Sequence, residues 1–181
     1  MGQVYGFSRA RDGRLQVRLD DVERSILASL AQQMIDFVAA PAPDPDADPL
    51  EVLVGIDATA EVPDDPALAR LFPNAFIDDD EAAADFRRFT ERDLRSLKSQ
   101  HATIVAADLA AGGDTIDPDH AGAWLGFLND TRLTLGSRLE LTEDSHEELA
   151  DLPDHDPRAG LFDVYDWLTF LEDSLVQQLL P

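Results

Sequence analysis

Hydrophobic residues recur every three or four positions along most of the chain, which predicts a mainly α-helical protein. We expect a bundle of four main helices, over residues 21–38, 79–111, 117–141 and 157–179. Shorter helices are expected at residues 50–56, 66–71 and 142–151. Strands and helices do not alternate along the chain, so a parallel sheet is not expected.

The N-terminal segment, residues 1–19, has a different pattern. Asp12-Gly13 is a typical hairpin turn, and residues 14–19 alternate polar and apolar side chains. This pattern predicts one β-hairpin. Because an isolated hairpin is only marginally stable in water, we expect this one to pack on the helices.

The chain has 181 residues, a length that favours a single helical domain over residues 1–181. One internal segment, residues 39–49, is rich in proline and aspartate. Such a composition does not pack into a core, so we expect a mobile loop there.

The charge balance limits the classes of partner that the protein can bind. The chain carries 14 Lys+Arg and 37 Asp+Glu, a formal net charge of -23 at pH 7. A field of that sign repels nucleic acid and anionic membranes, so direct contact with either is not expected. No apolar stretch reaches the length of a membrane span and no signal pattern precedes residue 20, so we expect a cytoplasmic protein.

The chemistry of the common enzymes is absent from the sequence. There is no cysteine, which excludes disulfides and thiol nucleophiles, and there is no phosphate-binding or dinucleotide fingerprint. Asp44, Asp46 and Asp48 have the opening spacing of a calcium loop, but Pro49 stands where glycine is needed. We therefore expect no cofactor and no enzymatic activity; a metal-dependent enzyme using the acidic clusters remains an alternative.

The four histidines do not change this interpretation. We expect His101 to be a hydrogen-bonded residue at the edge of the core, and the other three to lie on the surface: His120, His146 and His155.

Basic residues concentrate in the predicted helix over residues 79–111. Residues 86–98 contain five basic and two acidic side chains, and the basic ones are Arg87, Arg88, Arg92, Arg95 and Lys98. One interpretation is that these five bind an acidic partner protein, because arginine binds carboxylates through paired hydrogen bonds. The other is internal pairing, with Glu91 at helical spacing or with Asp130.

A second basic cluster lies in the hairpin and consists of Arg9, Arg11, Arg14 and Arg18. It supports one alternative function, a regulator that binds DNA directly through the hairpin.

Three stretches resemble a known family: residues 70–76, residues 86–95 with Lys98, and residues 124–144. Together they resemble the actinobacterial domain of unknown function 2017, whose members are oxidative-stress transcription regulators of the AosR type. The signature positions of the resemblance are Phe72, Pro73, Asn74, Phe76, Asn129, Asp130, Arg132 and Arg138.

The resemblance implies gene control through a protein partner, such as a sigma factor or another transcription component. It implies no enzymatic activity. A redox regulator of this family would be expected to switch through cysteine chemistry, and this chain has no cysteine. We therefore predict a non-enzymatic cytoplasmic regulator that acts by protein–protein contacts; a protease adaptor is a further alternative.

Overall fold

The computed structural model of the protein describes residues 5–41, 50, 61–142, 145–153 and 155–180. Within these residues the fold is mainly helical with a small antiparallel sheet, as predicted. The predicted loop at 39–49 and the predicted helix at 50–56 lie largely outside the described residues.

Four helices of the described part of the chain are long: α1 (Asp21–Phe37), α3 (Asp80–Ala111), α4 (Ala121–Arg138) and α6 (Pro157–Leu179). Two are short: α2 (Pro66–Leu71) and α5 (His146–Ala150). The strands are β1 (Gly6–Arg9), β2 (Leu15–Arg18) and β3 (Thr115–Ile116). No helix among the described residues combines the length and the apolar composition needed to cross a membrane.

Local sequence signals set most of the helix ends. Asp20 and Glu23 form a capping box at the start of α1: the Asp20 carboxylate accepts from the Glu23 amide, and the Glu23 carboxylate accepts from the Asp20 amide. Asp79 caps the first turn of α3. At its other end α3 stops at Gly112, whose φ of 74° is a left-handed conformation that glycine adopts without strain.

The hairpin is confirmed, and it gains a third strand that the sequence pattern did not predict. β1 pairs antiparallel with β2, and β2 pairs antiparallel with β3 through Leu15 and Ile116. The sheet packs on α6 and α4, as expected. Phe7 meets Trp124 edge to face at 5.5 Å, and the Phe7 amide donates to Ser174 Oγ at 3.0 Å.

One continuous core joins the sheet to all four long helices. Its largest fully buried side chains include Phe7, Leu27, Val105, Trp124 and Leu168. Burial of this apolar surface is the main source of stability, since each such side chain contributes about 1.5–3 kcal/mol.

The helix predicted over residues 117–141 is shorter and divided. A 3-10 turn at Pro118–His120 precedes α4, which ends at Arg138. The end is a backbone motif that reverses the chain: the Leu141 amide donates to the Gly136 carbonyl at 2.9 Å and the Glu140 amide to the Ser137 carbonyl at 3.2 Å. Glu140 has a φ of 53°, where this motif usually has glycine.

We expect Glu140→Gly to stabilise the protein by about 1 kcal/mol, because glycine adopts a left-handed conformation without the steric cost that a Cβ imposes. Thermal denaturation monitored by circular dichroism would measure the change. Glu140→Ala is the matched control, because it removes the carboxylate and keeps the strain. Equal stability of the glycine and alanine variants would contradict this account.

Gly126 allows α4 to pack against His101 of α3. A Cβ at position 126 would overlap the imidazole ring. Burial lowers the pKa of His101, so its neutral form is favoured near pH 7. Its Nδ1 has no hydrogen-bond partner among the described residues, which differs from the hydrogen-bonded histidine that we expected.

We expect Gly126→Ala to destabilise the protein by about 1–3 kcal/mol, because the imidazole must leave its place in the packed interface. Gly122→Ala is the control on the same helix: open space surrounds its new Cβ, so the better helix propensity should raise stability by about 0.5–1 kcal/mol. Urea denaturation would measure both. The packing explanation fails if the two alanine variants are equally stable.

Candidate functional site

The structure divides the predicted basic face of α3 into inward and outward residues. Arg87 and Arg95 are buried, with 5% and 8% of their surface exposed. Lys98 is half-buried, as is Arg88, while Arg92 is exposed. The helical spacing brings these residues onto one half of α3, but only two of the five arginine and lysine side chains lie towards the outer surface.

A single carboxylate holds the two buried guanidinium groups. Glu91 accepts from Arg87 Nη1 at 2.5 Å and from Arg95 Nη2 at 2.8 Å. All three side chains lie on consecutive turns of α3, at spacings of four residues, and Glu91 itself is largely buried. Two cations around one anion leave a net positive charge that needs further acceptors.

Backbone carbonyls from two other segments supply those acceptors. Arg87 Nη2 donates to the Phe72 carbonyl and to Asn74 Oδ1, both at 2.9 Å. Arg95 Nη1 donates to the carbonyl of Val38, at the end of α1, at 3.3 Å. A cation at a helix C-terminus also interacts favourably with the helix dipole.

The ring of Phe72 completes this arrangement. Phe72 is fully buried, and the guanidinium carbon of Arg95 lies 4.4 Å from its ring centroid. The cation–π contact and the hydrogen bonds from Arg87 fix the loop over residues 72–76 on α3. We name Arg87, Glu91, Arg95 and Phe72 the α3 clamp.

Three further signature residues, Asp130, Arg132 and Arg138, join neighbouring elements. Lys98 Nζ donates to Asp130 Oδ1 of α4 at 2.7 Å, and Asp130 is buried. Arg132 of α4 pairs with Glu172 of α6. Arg138 donates to Asp65 Oδ2 at 2.6 Å, and this bond lowers the pKa of the Asp65 carboxyl. Asp65 also caps α2 through the Ala67 amide, so Arg138 fixes the start of that helix.

Outside the clamp, the first half of α3 presents large apolar side chains to solvent. Phe89 is 57% exposed, and Ile77, just before the helix, is 92% exposed. The exposed apolar residues of this region are Phe76, Ile77, Phe86, Phe89, Leu94 and Leu97. The rings of Phe76 and Phe86 meet edge to face at 6.1 Å, so the loop and the helix form one continuous surface. We name these six residues the α3 face.

Charged residues border the α3 face. Arg88 donates to Asp85 at 3.1 Å, and Arg92 follows one turn later. A niche of about 30 Å³ opens between the loop and the helix, against Ala75, Phe86, Thr90 and Leu94. The surface therefore combines aromatic rings, aliphatic side chains and arginine, a composition enriched where proteins bind one another.

Two of the hairpin arginines have partners within the protein, which reduces the number available to bind DNA phosphates. Arg9 donates to the Gly13 carbonyl and, at 2.6 Å, to the Gln178 carbonyl at the end of α6. Arg14 pairs with Asp12 at 2.7 Å. Two of the four arginines in the predicted cluster thus already have internal partners.

The described residues contain no group of three or more histidine, aspartate or glutamate side chains placed to hold a metal ion. His120, which we expected on the surface, is partly buried and its Nδ1 lies 2.9 Å from Asp108 Oδ1. Asp108 also accepts from Trp124 Nε1 at 2.8 Å. This contact joins the end of α3 to the start of α4.

Sequence reasoning missed the α3 face as a unit. Its apolar residues at positions 86, 89 and 97 lie on a different side of the helix from the buried Arg87 and Arg95, while Leu94 lies beside Arg87. The available signal was the spread of these apolar residues around the helix, which predicts contacts with neighbours on more than one side.

We expect Glu91→Gln to destabilise the protein by about 3 kcal/mol, because it leaves two buried guanidinium groups without their shared counter-ion. Asp93→Asn is the control: Asp93 is an exposed acid on the same helix, so its change should stay within about 0.5 kcal/mol. Guanidinium chloride would mask the charges, so urea denaturation is the suitable measurement. A Glu91→Gln variant as stable as Asp93→Asn would show that the clamp contributes nothing.

Comparison with known proteins identifies the family of this chain. The family model described as "Domain of unknown function (DUF2017)" matches residues 4–179. No solved structure matches the chain.

Two curated relatives are named "Oxidative stress regulator AosR", one from Mycobacterium tuberculosis and one from Mycobacterium bovis. Each is 33% identical over 208 aligned positions, which cover 99% of this chain and 93% of the relative. The resemblance inferred from residues 70–76, 86–95 and 124–144 is thereby confirmed, and the chain belongs to the DUF2017 family.

Proposed function

We propose that this protein is a non-enzymatic regulator that acts in the cytoplasm by binding another protein, and that the α3 face is its docking surface. The observation that carries the proposal is the size of the exposed apolar surface. Six large, exposed apolar side chains lie within residues 76–97 of a chain whose net charge is -23. Monomeric soluble proteins seldom expose such a patch unless it binds something.

The α3 clamp supports this proposal by making the surface rigid. A docking surface binds more tightly when its residues are held in place before the partner arrives. Arg87, which pairs with Glu91, donates to the Phe72 carbonyl and to Asn74 Oδ1, and these bonds join α3 to the loop over residues 72–76. The α3 face spans both elements. Arg87, Arg95 and Lys98 are therefore positioning residues in this proposal.

In this proposal Arg88 and Arg92 bind the acidic side chains of the partner. They lie at the border of the apolar surface, where a carboxylate of a partner would be within reach of a guanidinium group. The partner that fits is a helix or strand with apolar side chains in the centre and acidic ones at one edge. A sigma factor or another transcription component is the class of partner that the family suggests.

The trigger of this regulator cannot be a thiol. The mycobacterial relatives are named for oxidative stress, but this chain has no cysteine. We therefore propose that partner binding is controlled by other means, such as the amount of either protein or a bound ligand.

We expect Phe89→Asp to reduce partner capture at least about tenfold, because a buried carboxylate at the centre of an apolar contact is strongly unfavourable. Full-length protein carrying a photo-crosslinking residue at position 94 would capture partners in the native cell, and mass spectrometry would quantify them. Because Phe89 is exposed, circular dichroism of the variant should match that of the parent.

Val22→Asp is the matched control, since Val22 is an exposed apolar residue on α1, outside the α3 face. A specific partner is one whose capture falls with Phe89→Asp and persists with Val22→Asp. If both variants capture the same proteins equally, or lose them equally, the α3 face is not the docking surface.

A further inference from the structure

A groove of about 650 Å³ lies between α2, α4 and the start of the chain that follows α4. It is separate from the α3 face, although Pro73, from the loop beside that face, forms part of its wall. The volume falls within the range of sites that bind small organic molecules. We name it the α2–α4 groove.

Three polar side chains that line the groove make no hydrogen bond or ion pair within the described part of the chain. They are the guanidinium group of Arg70, the amide of Asn129 and the hydroxyl of Ser137. Arg70 lies at the end of α2, while Asn129 and Ser137 lie two turns apart on α4. Because they come from two elements, a ligand between them would have polar partners on both sides.

A second guanidinium group in the groove is fixed in place. Arg132 Nε donates to Thr169 Oγ1 at 2.9 Å, and its Nη1 pairs with Glu172. The guanidinium carbon lies 5.5 Å from the ring centroid of Tyr165, which also lines the groove. These three contacts hold the Arg132 guanidinium group in one orientation before a ligand binds, which lowers the entropic cost of binding.

The remaining wall is mainly apolar and contains one acidic residue, Glu140. Leu133 and Leu141 lie in it with Pro66 and Pro73. Leu141 reaches this place because the chain reverses at Glu140, a residue with a left-handed backbone. Strained residues of this kind are often found at binding sites.

From these features we propose that the α2–α4 groove binds a small organic carboxylate with an apolar body. The carboxylate would bind Arg70 and Arg132, since guanidinium groups match the geometry of a carboxylate. Asn129 and Ser137 would provide further hydrogen bonds, and the apolar body would lie against Leu133 and Leu141. A neutral ligand of the same shape would leave the Arg70 guanidinium group without a carboxylate partner and bind more weakly.

The test uses phenylacetate, hexanoate and benzoate as probes, with phenylacetamide as the neutral analogue of the first. Titration of full-length protein labelled at leucine methyl groups, followed by NMR, would report on Leu133 and Leu141 directly. For fragments of about ten non-hydrogen atoms we expect dissociation constants of about 1 mM. Phenylacetamide should bind at least about tenfold more weakly, the loss of one charge-assisted hydrogen bond.

Arg70→Gln should weaken binding of the carboxylates about tenfold, by the same loss of a charge-assisted hydrogen bond. The matched control is Arg11→Gln, an exposed arginine of the hairpin that lies outside the groove. Both variants remove one positive charge from the surface, so a difference between them measures the site and not the overall field.

Three results would overturn the proposal. The first is that none of the three carboxylates shifts the methyl signals of Leu133 or Leu141. The second is that phenylacetamide binds as well as phenylacetate. The third is that Arg11→Gln weakens binding as much as Arg70→Gln, which would identify an adventitious anion effect. None of these results bears on partner capture by the α3 face, so the two proposals fail separately.

Discussion

The carboxylate of Glu91 is the constraint on which the rest of the structure depends. It is placed between two buried guanidinium groups, and those groups reach a loop on one side and the end of α1 on the other. A buried cation without an acceptor is very unfavourable. Movement of the loop or of α1 away from α3 would leave a guanidinium group in that state and is therefore opposed.

Most helix ends could be predicted from the sequence because their causes are local. The Asp20–Glu23 box, the Asp65 and Asp156 caps and the stop at Gly112 each depend on residues within a few positions. The end of α4 could not be predicted in this way. Glu140 carries no sequence signal for a left-handed backbone, and the turn follows from the packing of Leu141 near Gly136.

Whether the basic residues of α3 are exposed or buried could not be predicted from the sequence, for a related reason. Arg87, Glu91 and Arg95 have the spacing of an exposed ion-pair ladder and of a buried clamp alike. Contacts decide between the two, and the deciding partners, Phe72 and Val38, are 15 and 57 residues away in sequence. The α2–α4 groove was missed because it combines residues from segments that share no pattern.

The attachment of β1 to α6 has a consequence for how the chain reaches its native state. The bond from the Phe7 amide to Ser174 Oγ joins positions 167 residues apart, and the contact from Arg9 to Gln178 spans 169. Bringing such distant positions together has a large entropic cost, which only a nearly complete bundle can offset. The sheet should therefore dock last during folding and detach first on unfolding, while the helical interior stays assembled.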